Sequence, residues 1–312
     1  MARLKNLIEN EHGVPPLRGG HSLCQGCGIP IVVRTVLSSL PGPAVIVNAT
    51  GCLEVATTRY PTTAWNVPWL HVAFENTAAV ASGIESAQRA LRRRHALPEG
   101  QEISIVAFAG DGGTYDIGLQ ALSGALERGH KFLFVCYDNE AYMNTGVQRS
   151  GATPFGTRTT TSPPGAESFG KAQRRKDMTA IAVSHHIPYV AQGVASHWDD
   201  LSRKVERAAA VQGPSFLNVL TDCPVGWGHE PRTTRTVLDT AVDTHFWPLY
   251  EVADGAYTLN YEPEHQLPIE KWLEHQSRFA HLLKPENRGH VEEIQAQVDA
   301  DWNDLQARCA ST

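Results

Sequence analysis

Cysteine, basic charge and long apolar runs are all scarce in this chain. Six cysteines among 312 residues are too few for a disulfide scaffold. Because 27 Lys and Arg stand against 33 Asp and Glu, the net charge is -6, and the chain lacks the basic field typical of nucleic-acid-binding proteins. No apolar run has transmembrane length, and the first 20 residues lack a signal-peptide core. These absences predict a cytoplasmic protein that binds neither nucleic acid nor membrane.

The order of apolar segments predicts an α/β fold with a parallel sheet. A hydrophobic content of 42% suits one large domain with arms or two small ones. Short apolar runs that predict buried strands alternate with segments of helical spacing. The predicted strands include residues 44–49, 103–109, 131–137, 189–192 and 215–222, and the predicted helices include 29–40, 75–95, 115–127, 178–185, 201–211, 270–283 and 291–307.

The local composition of the sequence also predicts how the chain is divided into a domain and two arms. Residues 1–20 are polar and predict an N-terminal arm, and residues 21–228 predict the α/β domain that binds cofactors. Residues 229–312 predict an extended C-terminal arm with helices that contacts a partner. The segment 139–177 is long, polar and rich in Gly, Thr, Ser and Pro, and such a segment in a compact domain usually covers a site or a partner.

Two predicted strand ends carry side chains suited to a magnesium diphosphate. Asp111 follows one strand within a Gly-Asp-Gly-Gly sequence, and Asn139 follows the next strand along the chain. Mg²⁺ prefers oxygen ligands, α/β sheets bind ligands at the carboxyl ends of their strands, and glycines let backbone approach phosphate. Asp111, Asn139 and the Ala141 carbonyl are therefore candidate ligands of one ion. The alternative is a pair of ordinary strand-end turns.

Four of the cysteines are candidate ligands of one iron-sulfur cluster. Cys24 and Cys27 form a CxxC pair, whereas Cys52 and Cys223 each follow a predicted strand. Strand ends at one edge of a sheet can converge, and four thiolates are the usual ligands of a cubane cluster.

Zinc is the competing metal for the CxxC pair. His21 and His71 are the candidate additional ligands, but a zinc ribbon more often shows a second CxxC or a closely spaced His pair. The two cysteines behind strands favour the cluster instead. Cys136 lies inside an apolar run and Cys309 near a polar C-terminus, so neither is expected to bind metal.

Several short segments of the chain resemble the beta subunit of the 2-oxoacid:ferredoxin oxidoreductases, the pyruvate:ferredoxin oxidoreductase family. The resemblance covers roughly residues 18–230, judged by motifs. The segments that carry it, in order, are residues 21–28, 49–54, 110–118, 144–148, 152–154 and 223–227. It implies a thiamine diphosphate-binding fold, a [4Fe-4S] cluster on the four cysteines, and Mg²⁺ on the three oxygen ligands named above.

The resemblance further implies which residues lie against the thiamine diphosphate. Asn144 matches the family's active-site Asn beside the thiazolium ring and the substrate. Relatives often carry Thr in place of Asn139, which also offers a side-chain oxygen. Ile29 stands where long single-chain relatives often carry an acidic residue, and it favours the multi-subunit branch. The expected cofactor contacts are Ile29, Gly51, Cys52, Leu53, Gly110, Asp111, Gly112, Gly113, Asn139, Ala141, Tyr142, Met143 and Asn144.

The resemblance implies that this chain is one subunit of a larger enzyme. The family places the glutamate that activates the aminopyrimidine ring, and the residues that hold the substrate carboxylate, on an alpha-type subunit. The chain lacks the tandem CxxCxxCxxxC runs of a ferredoxin-like domain, so a ferredoxin-like subunit is expected to pass electrons to ferredoxin.

The expected reaction is the oxidative decarboxylation of a 2-oxoacid, with electrons leaving through the cluster and coenzyme A as a possible co-substrate. Pyruvate is the default substrate, and a branched-chain 2-oxoacid, 2-oxoglutarate or oxalate would use the same machinery. Two alternatives stay open. One is a non-redox thiamine diphosphate-dependent decarboxylase, and the other is a zinc-stabilised structural subunit.

Overall fold

The computed structural model describes residues 15–98, 100 and 102–311. Residues 1–14 of the expected N-terminal arm therefore lie outside the described residues. The rest of that segment packs onto the domain, because Leu17 is fully buried and forms an isolated antiparallel bridge with Trp65.

An eight-stranded sheet organises the chain. Its strands are β1 (Ala44–Ala49), β2 (Trp69–Val72), β3 (Ser104–Gly110), β4 (Leu133–Asp138), β5 (Tyr189–Val194), β6 (Ser215–Leu220), β7 (Tyr250–Ala253) and β8 (Ala256–Leu259). They lie in the order β2-β1-β3-β4-β6-β5-β7-β8. All pairs from β2 to β5 are parallel, whereas β7 is antiparallel to both β5 and β8. The predicted α/β fold is confirmed, and its parallel sheet gains two antiparallel strands at one edge.

Helices connect the strands, as the alternation of apolar patterns predicts. They are α1 (Ile29–Ser39), α2 (Cys52–Thr57), α3 (Thr77–Arg93), α4 (Leu119–Glu127), α5 (Met178–Val183), α6 (Trp198–Ala210), α7 (Thr234–Asp243), α8 (Glu270–Glu274) and α9 (Arg288–Ala310). Two π-helical turns, Gly112–Asp116 and Pro224–Gly228, follow β3 and β6. Within the part of the chain that the structure describes, no helix has both the length and the apolar character needed to cross a membrane.

The two faces of the sheet bury separate apolar clusters. In the central strand β4, Leu133, Val135 and Tyr137 belong to one cluster. Phe134 and Cys136 belong to the other. This alternation follows from the two-residue period of a strand, and it explains why β4 is buried along its whole length.

The C-terminal region joins the same sheet, which differs from the extended arm expected at 229–312. Strands β7 and β8 are connected by a two-residue turn, Asp254-Gly255, in which both residues have positive φ (48° and 86°). Trp272 of α8 is fully buried in the core. This region therefore forms part of the folded body, and its contact with another subunit stays a prediction.

Candidate functional site

Four neighbouring strands bring the predicted metal ligands to one edge of the sheet. In the sheet order, β3 and β4 are the inner pair and β1 and β6 flank them. Asp111 and Asn139 directly follow the inner strands, whereas Cys52 and Cys223 lie three residues beyond the flanking strands. The predicted oxygen ligands thus follow the two central strands. One predicted sulfur ligand follows the strand on each side of that pair.

The Asn139 side chain contacts both of the other predicted oxygen ligands, Asp111 and the Ala141 carbonyl. One terminal atom of the Asn139 amide is 3.0 Å from Asp111 Oδ1 and 2.9 Å from the carbonyl oxygen of Ala141. With the amide nitrogen in that place, it donates to both oxygens; with the amide oxygen there, three oxygens face one another. Octahedral Mg²⁺ with ligands at about 2.1 Å places adjacent oxygens about 3.0 Å apart. The second amide orientation therefore has the spacing of adjacent magnesium ligands.

Asp111 is held in an environment that disfavours its charge. The carboxyl is buried, and burial raises the pKa of Asp111 well above its usual value. The nearby charge of Asp138 raises this pKa further, whereas a hydrogen bond that Ser150 Oγ donates to Asp111 Oδ2 lowers it. A divalent cation bound here would supply the positive charge that keeps Asp111 ionised. Ser150, which the sequence patterns do not single out, orients the Asp111 carboxyl through that hydrogen bond.

Two buried carboxylates flank Asn139 and anchor the turn that carries it. Asp138 Oδ2 accepts hydrogen bonds from Tyr115 Oη and from Arg175 Nη2, both at 2.6 Å. Glu140 accepts from Arg175 at 3.1 Å and from Arg278 at 2.5 Å. The turn therefore holds Asn139 toward Asp111 through ion pairs on both sides.

The backbone of this turn is unusual as well. Glu140 has a positive φ of 69°, which is uncommon for a residue other than glycine. Its N–H donates to Asp138 Oδ1 at 3.0 Å, and its carbonyl accepts from Thr153 Oγ1 at 2.6 Å. Such a conformation persists only where the surroundings fix it, and here the two arginines do so.

The four predicted cluster ligands gather at the same edge. Cys24 is exposed, and Cys27, Cys52 and Cys223 are half-buried. Burial raises the pKa of Cys27, that of Cys223, and that of Cys52 to about 12. The charges of other cysteines in the set raise the pKa of each of these three further. The cysteines therefore lie close enough to interact electrostatically. Metal-free, the buried sulfurs are thiols, and binding metal would release their protons.

No three Cys, His, Asp or Glu side chains in the described ranges lie close enough together to hold a single metal ion. A tetrahedral zinc site needs sulfurs about 3.8 Å apart, from Zn–S bonds of about 2.3 Å. Each candidate zinc-binding histidine has one ring nitrogen bonded elsewhere, since His21 Nε2 lies 3.5 Å from Arg34 Nη2 and His71 Nε2 lies 2.7 Å from Thr50 Oγ1. The arrangement therefore offers no single-ion zinc site within those residues.

Glycines let the CxxC turn approach the end of β6. A Cβ atom on Gly28 would lie 2.4 Å from Thr221 Oγ1 and 2.7 Å from Asp222 Oδ1. A Cβ on Gly26, whose φ is +78°, would lie 2.6 Å from the backbone of Pro231. Since real Cβ atoms do not approach so closely, side chains at these positions would push Cys24 and Cys27 away from Cys223.

The predicted active-site residue joins the two halves of the site. Asn144 is exposed and lies near Cys52, where its side chain lowers the pKa of that thiol. Its neighbour Met143 packs against the turn after Cys223, because a Cβ on Gly226 would lie 2.2 Å from Met143 Sδ. The segment after β4 therefore spans from the oxygen ligands to the cysteines.

The remaining predicted cofactor contacts fall into two groups. Tyr142 covers the glycine-rich turn, since a Cβ on Gly112 would lie 2.2 Å from its ring, and its hydroxyl donates to Asp116 at 3.1 Å. The side chains of Ile29 and Leu53 are buried in the core. Contacts of this chain with a cofactor stay predictions for all of these residues.

Comparison with known proteins gives consistent matches. The family described as "Thiamine pyrophosphate enzyme, C-terminal TPP binding domain" matches residues 49–219. The pyruvate synthase subunit PorB of Methanocaldococcus jannaschii is 49% identical over 280 residues, which cover 90% of this chain and 93% of that protein. The ketoisovalerate oxidoreductase subunit VorB of Pyrococcus abyssi is 40% identical over 291 residues, 92% of this chain and 91% of the relative.

Among solved structures, a 2-oxoglutarate:ferredoxin oxidoreductase from Magnetococcus marinus matches with a TM-score of 0.55 and 21% identity over 69% of each chain. At this identity the match supports the fold alone. It agrees with the parallel sheet described above.

Proposed function

Since the chain belongs to the thiamine pyrophosphate enzymes and, within them, to the beta subunits of the 2-oxoacid:ferredoxin oxidoreductases, we propose that it binds thiamine diphosphate, Mg²⁺ and a [4Fe-4S] cluster to oxidise pyruvate. Thiamine diphosphate and thiamine pyrophosphate are two names for one cofactor. The observation that carries the proposal is the position of the Asn139 amide, 3.0 Å from Asp111 Oδ1 and 2.9 Å from the Ala141 carbonyl oxygen, which is the spacing of adjacent magnesium ligands, beside four gathered cysteines.

The chain's own residues divide the work of the site. Asp111, Asn139 and the Ala141 carbonyl would hold Mg²⁺ against the diphosphate, and the backbone N–H groups of the glycine-rich turn at 110–113 would bind phosphate oxygens. Bound thiamine diphosphate supplies an electron sink for decarboxylation, and a bound cluster supplies a one-electron acceptor. Asn144 would orient the reacting groups between them, because it lies in the segment after β4, between the oxygen ligands and the cysteines.

The sulfur ligands suit a cluster better than a single ion. In a cubane each thiolate binds its own iron, so the four sulfurs stand farther apart than around one zinc ion. Cys24, Cys27, Cys52 and Cys223 lie within electrostatic range of one another without forming a single-ion group within the described ranges. Membership of the 2-oxoacid:ferredoxin oxidoreductase family supports the cluster over the zinc-stabilised alternative.

Pyruvate is the proposed substrate because the 49% identical relative is named for it. A branched-chain 2-oxoacid is the second candidate, from the name of the 40% identical relative. Both relatives are named as subunits, which supports an alpha-type partner that completes the site and a ferredoxin-like subunit that receives electrons. Coenzyme A is proposed as the acyl acceptor from the family resemblance.

The test is the content of iron, acid-labile sulfide, zinc, magnesium and thiamine diphosphate in the anaerobically purified complex, with Asp111→Asn and Asp199→Asn as matched variants. The side chain of Asp199, on α6, is 55% exposed and pairs with Arg203. We expect Asp111→Asn to lose magnesium and thiamine diphosphate, and Asp199→Asn to retain both.

The outcomes separate the alternatives. Equal cofactor content in both variants would show that Asp111 is not a magnesium ligand. Thiamine diphosphate without iron or sulfide attributable to this chain would favour a non-redox decarboxylase. Zinc without sulfide or thiamine diphosphate would favour the structural subunit.

A further inference from the structure

The CxxC turn is closed by its own backbone and is tied to the C-terminal region by the side chain of Thr234. The Cys27 N–H donates to the Cys24 carbonyl at 3.1 Å, and Gly26 has a φ of 78°. A β-turn with a left-handed third residue has this form. The Gly26 carbonyl takes no part in that bond, and Thr234 Oγ1 donates to it at 2.6 Å across 208 positions of the chain.

Thr234 also contacts the segment that carries Cys223. Its Oγ1 lies 2.9 Å from Asp222 Oδ2 and 3.1 Å from the Pro231 carbonyl. A hydroxyl has one proton, so these contacts share it, and the shortest of them is the one to Gly26. Asp222 is fully buried and directly precedes Cys223. Thr234 therefore joins the CxxC turn to the segment after β6.

The packing around the turn makes this hydrogen bond hard to bypass. A Cβ on Gly26 would lie 2.6 Å from the backbone of Pro231, and one on Gly28 would lie 2.7 Å from Asp222 Oδ1. The turn thus lies in contact with the neighbouring segments on both sides of its second cysteine. Any movement away from them breaks the bond to Thr234.

Thr234 differs from a threonine that bonds only within its own helix. Thr240, on the same helix α7, donates to the Thr236 carbonyl at 2.7 Å, which is the usual local bond of a helical threonine. The local contact of Thr234, to Pro231, is longer than its contact with the CxxC turn. The hydroxyl of Thr234 therefore bonds mainly across the tertiary contact.

We propose that Thr234 is a positioning residue, which holds the CxxC turn against the segment after β6 and limits the opening of the turn that carries Cys24 and Cys27. The inference rests on the proposed function in one respect, because a ligand turn that opens less often is expected to lose iron more slowly. Without the hydroxyl, opening breaks one hydrogen bond fewer, which changes the opening equilibrium about tenfold.

The experiment measures the opening of the turn by alkylation of Cys27 in the anaerobically purified complex, after a chelator has removed iron. Mass spectrometry of peptides gives the labelling rate of each cysteine. We expect Thr234→Val to increase the rate for Cys27 about tenfold. Thr234→Ser keeps the hydroxyl and Thr240→Val is the matched control, so both should keep the wild-type rate. Cys136, buried inside β4, reports unfolding of the whole domain, and its rate should not change.

The same variants test the consequence for the proposed cluster. We expect the intact complex to lose iron to an added chelator faster in Thr234→Val than in the wild type. Thr234→Ser and Thr240→Val should lose iron at the wild-type rate. Equal rates of iron loss in all four proteins would contradict a role of the contact in holding the cluster.

The labelling outcomes are distinguishable from those of the proposed function. Equal labelling of Cys27 in Thr234→Val and Thr240→Val would overturn the inference. An equal increase for Cys27 and Cys136 would do so too, because the whole domain would then be less stable. If Thr234→Val fails to fold, Thr234→Ala removes the hydroxyl without a methyl group in its place, and a wild-type rate for Cys27 there would overturn the inference. A wild-type complex without iron on this chain would overturn the proposed function, whereas the labelling rates would still decide the role of Thr234.

Discussion

Replacing Arg278 with methionine tests how the turn around Asn139 is held. Arg278 Nη2 donates to Glu140 Oε2 at 2.5 Å, and the two side chains are 2% and 0% exposed. Breaking a buried ion pair costs about 3–5 kcal/mol, because one charge stays buried without its partner. Arg175 still contacts Glu140 at 3.1 Å, so we expect the lower end, about 3 kcal/mol, which is roughly a hundredfold change in the unfolding constant.

The assay is unfolding of the metal-free chain in guanidinium chloride, monitored by tryptophan fluorescence. The guanidinium of Arg278 lies 4.1 Å from the ring centre of Trp227 and 5.5 Å from that of Trp272, so the signal reports the region of the change. Methionine keeps much of the apolar stem, which limits the loss of packing.

A second background separates charge from packing. In Glu140→Gln the residue at the turn carries no charge. We therefore expect Arg278→Met to lower the free energy of unfolding by less than about half of what it removes in the wild type. Equal costs in the two backgrounds would refute the reasoning, because the arginine would then contribute through packing alone. A loss of magnesium affinity in Arg278→Met, with Asn139 intact, would connect this ion pair to the site.

Two further predictions concern a buried lysine of α6 and the glycine that precedes α1. Burial lowers the pKa of Lys204 to about 8, below the 10.5 of a free lysine. The unfolded chain therefore binds more protons in that window, and this residue makes the free energy of unfolding rise from pH 8 to 10.5. Lys204→Met should remove that rise, roughly 3 kcal/mol at most, in unfolding curves at several pH values. Gly28→Ala would place a Cβ 2.4 Å from Thr221 Oγ1, so we expect a loss of about 1–3 kcal/mol and a lower iron content after anaerobic purification.

Each of these predictions has a matched control. Lys271→Met changes a lysine that is 54% exposed and should leave the pH dependence as in the wild type. If Lys204→Met also kept the wild-type dependence, the assignment of the rise to Lys204 would be wrong. Gly19→Ala adds a Cβ with nothing within 4 Å, and it should leave the iron content unchanged. Equal iron in Gly28→Ala and Gly19→Ala would contradict the close approach of the CxxC turn.

The parallel core could be predicted from sequence because its strands are short apolar runs between turn residues. The strand predicted at 44–49 is β1 (Ala44–Ala49), and the helix predicted at 75–95 is α3 (Thr77–Arg93). Once the strands are parallel, their carboxyl ends meet at one edge, so the gathering of the candidate ligands follows without any three-dimensional information. The helix predicted from residue 115 differs at its start, because a π-helical turn at Gly112–Asp116 precedes it.

The hairpin of β7 and β8 was within reach of sequence reasoning and was missed. Asp-Gly between alternating residues is a strong hairpin signal. The strands have four residues each and lie in a polar, aromatic stretch. Their alternation of buried and exposed side chains is therefore too short to stand out, and the stretch resembles an extended arm. β2 was missed for a similar reason, since it also has only four residues.

The ion pairs around Asn139 were out of reach of sequence reasoning. Arg175 and Arg278 lie 35 and 138 positions from Glu140, and no local pattern connects them. The same holds for the Ser150 hydroxyl, which reaches Asp111 across 39 positions. Such contacts depend on how the polar segment and the C-terminal region fold back over the strand ends.

The central place of β4 has a consequence for how the site opens. All six residues of β4 are buried and strands pair with it on both sides, whereas Cys24 lies in an exposed turn. Amide hydrogens in such a strand exchange with solvent only when most of the domain unfolds, and those of exposed turns exchange through small local openings. The turn that carries Asn139 and Ala141 continues directly from β4, so we expect it to open with that strand, whereas the CxxC turn opens by itself. For the Mg²⁺ and the cluster proposed above, we therefore expect mild denaturant to release iron first and magnesium in a separate, later event.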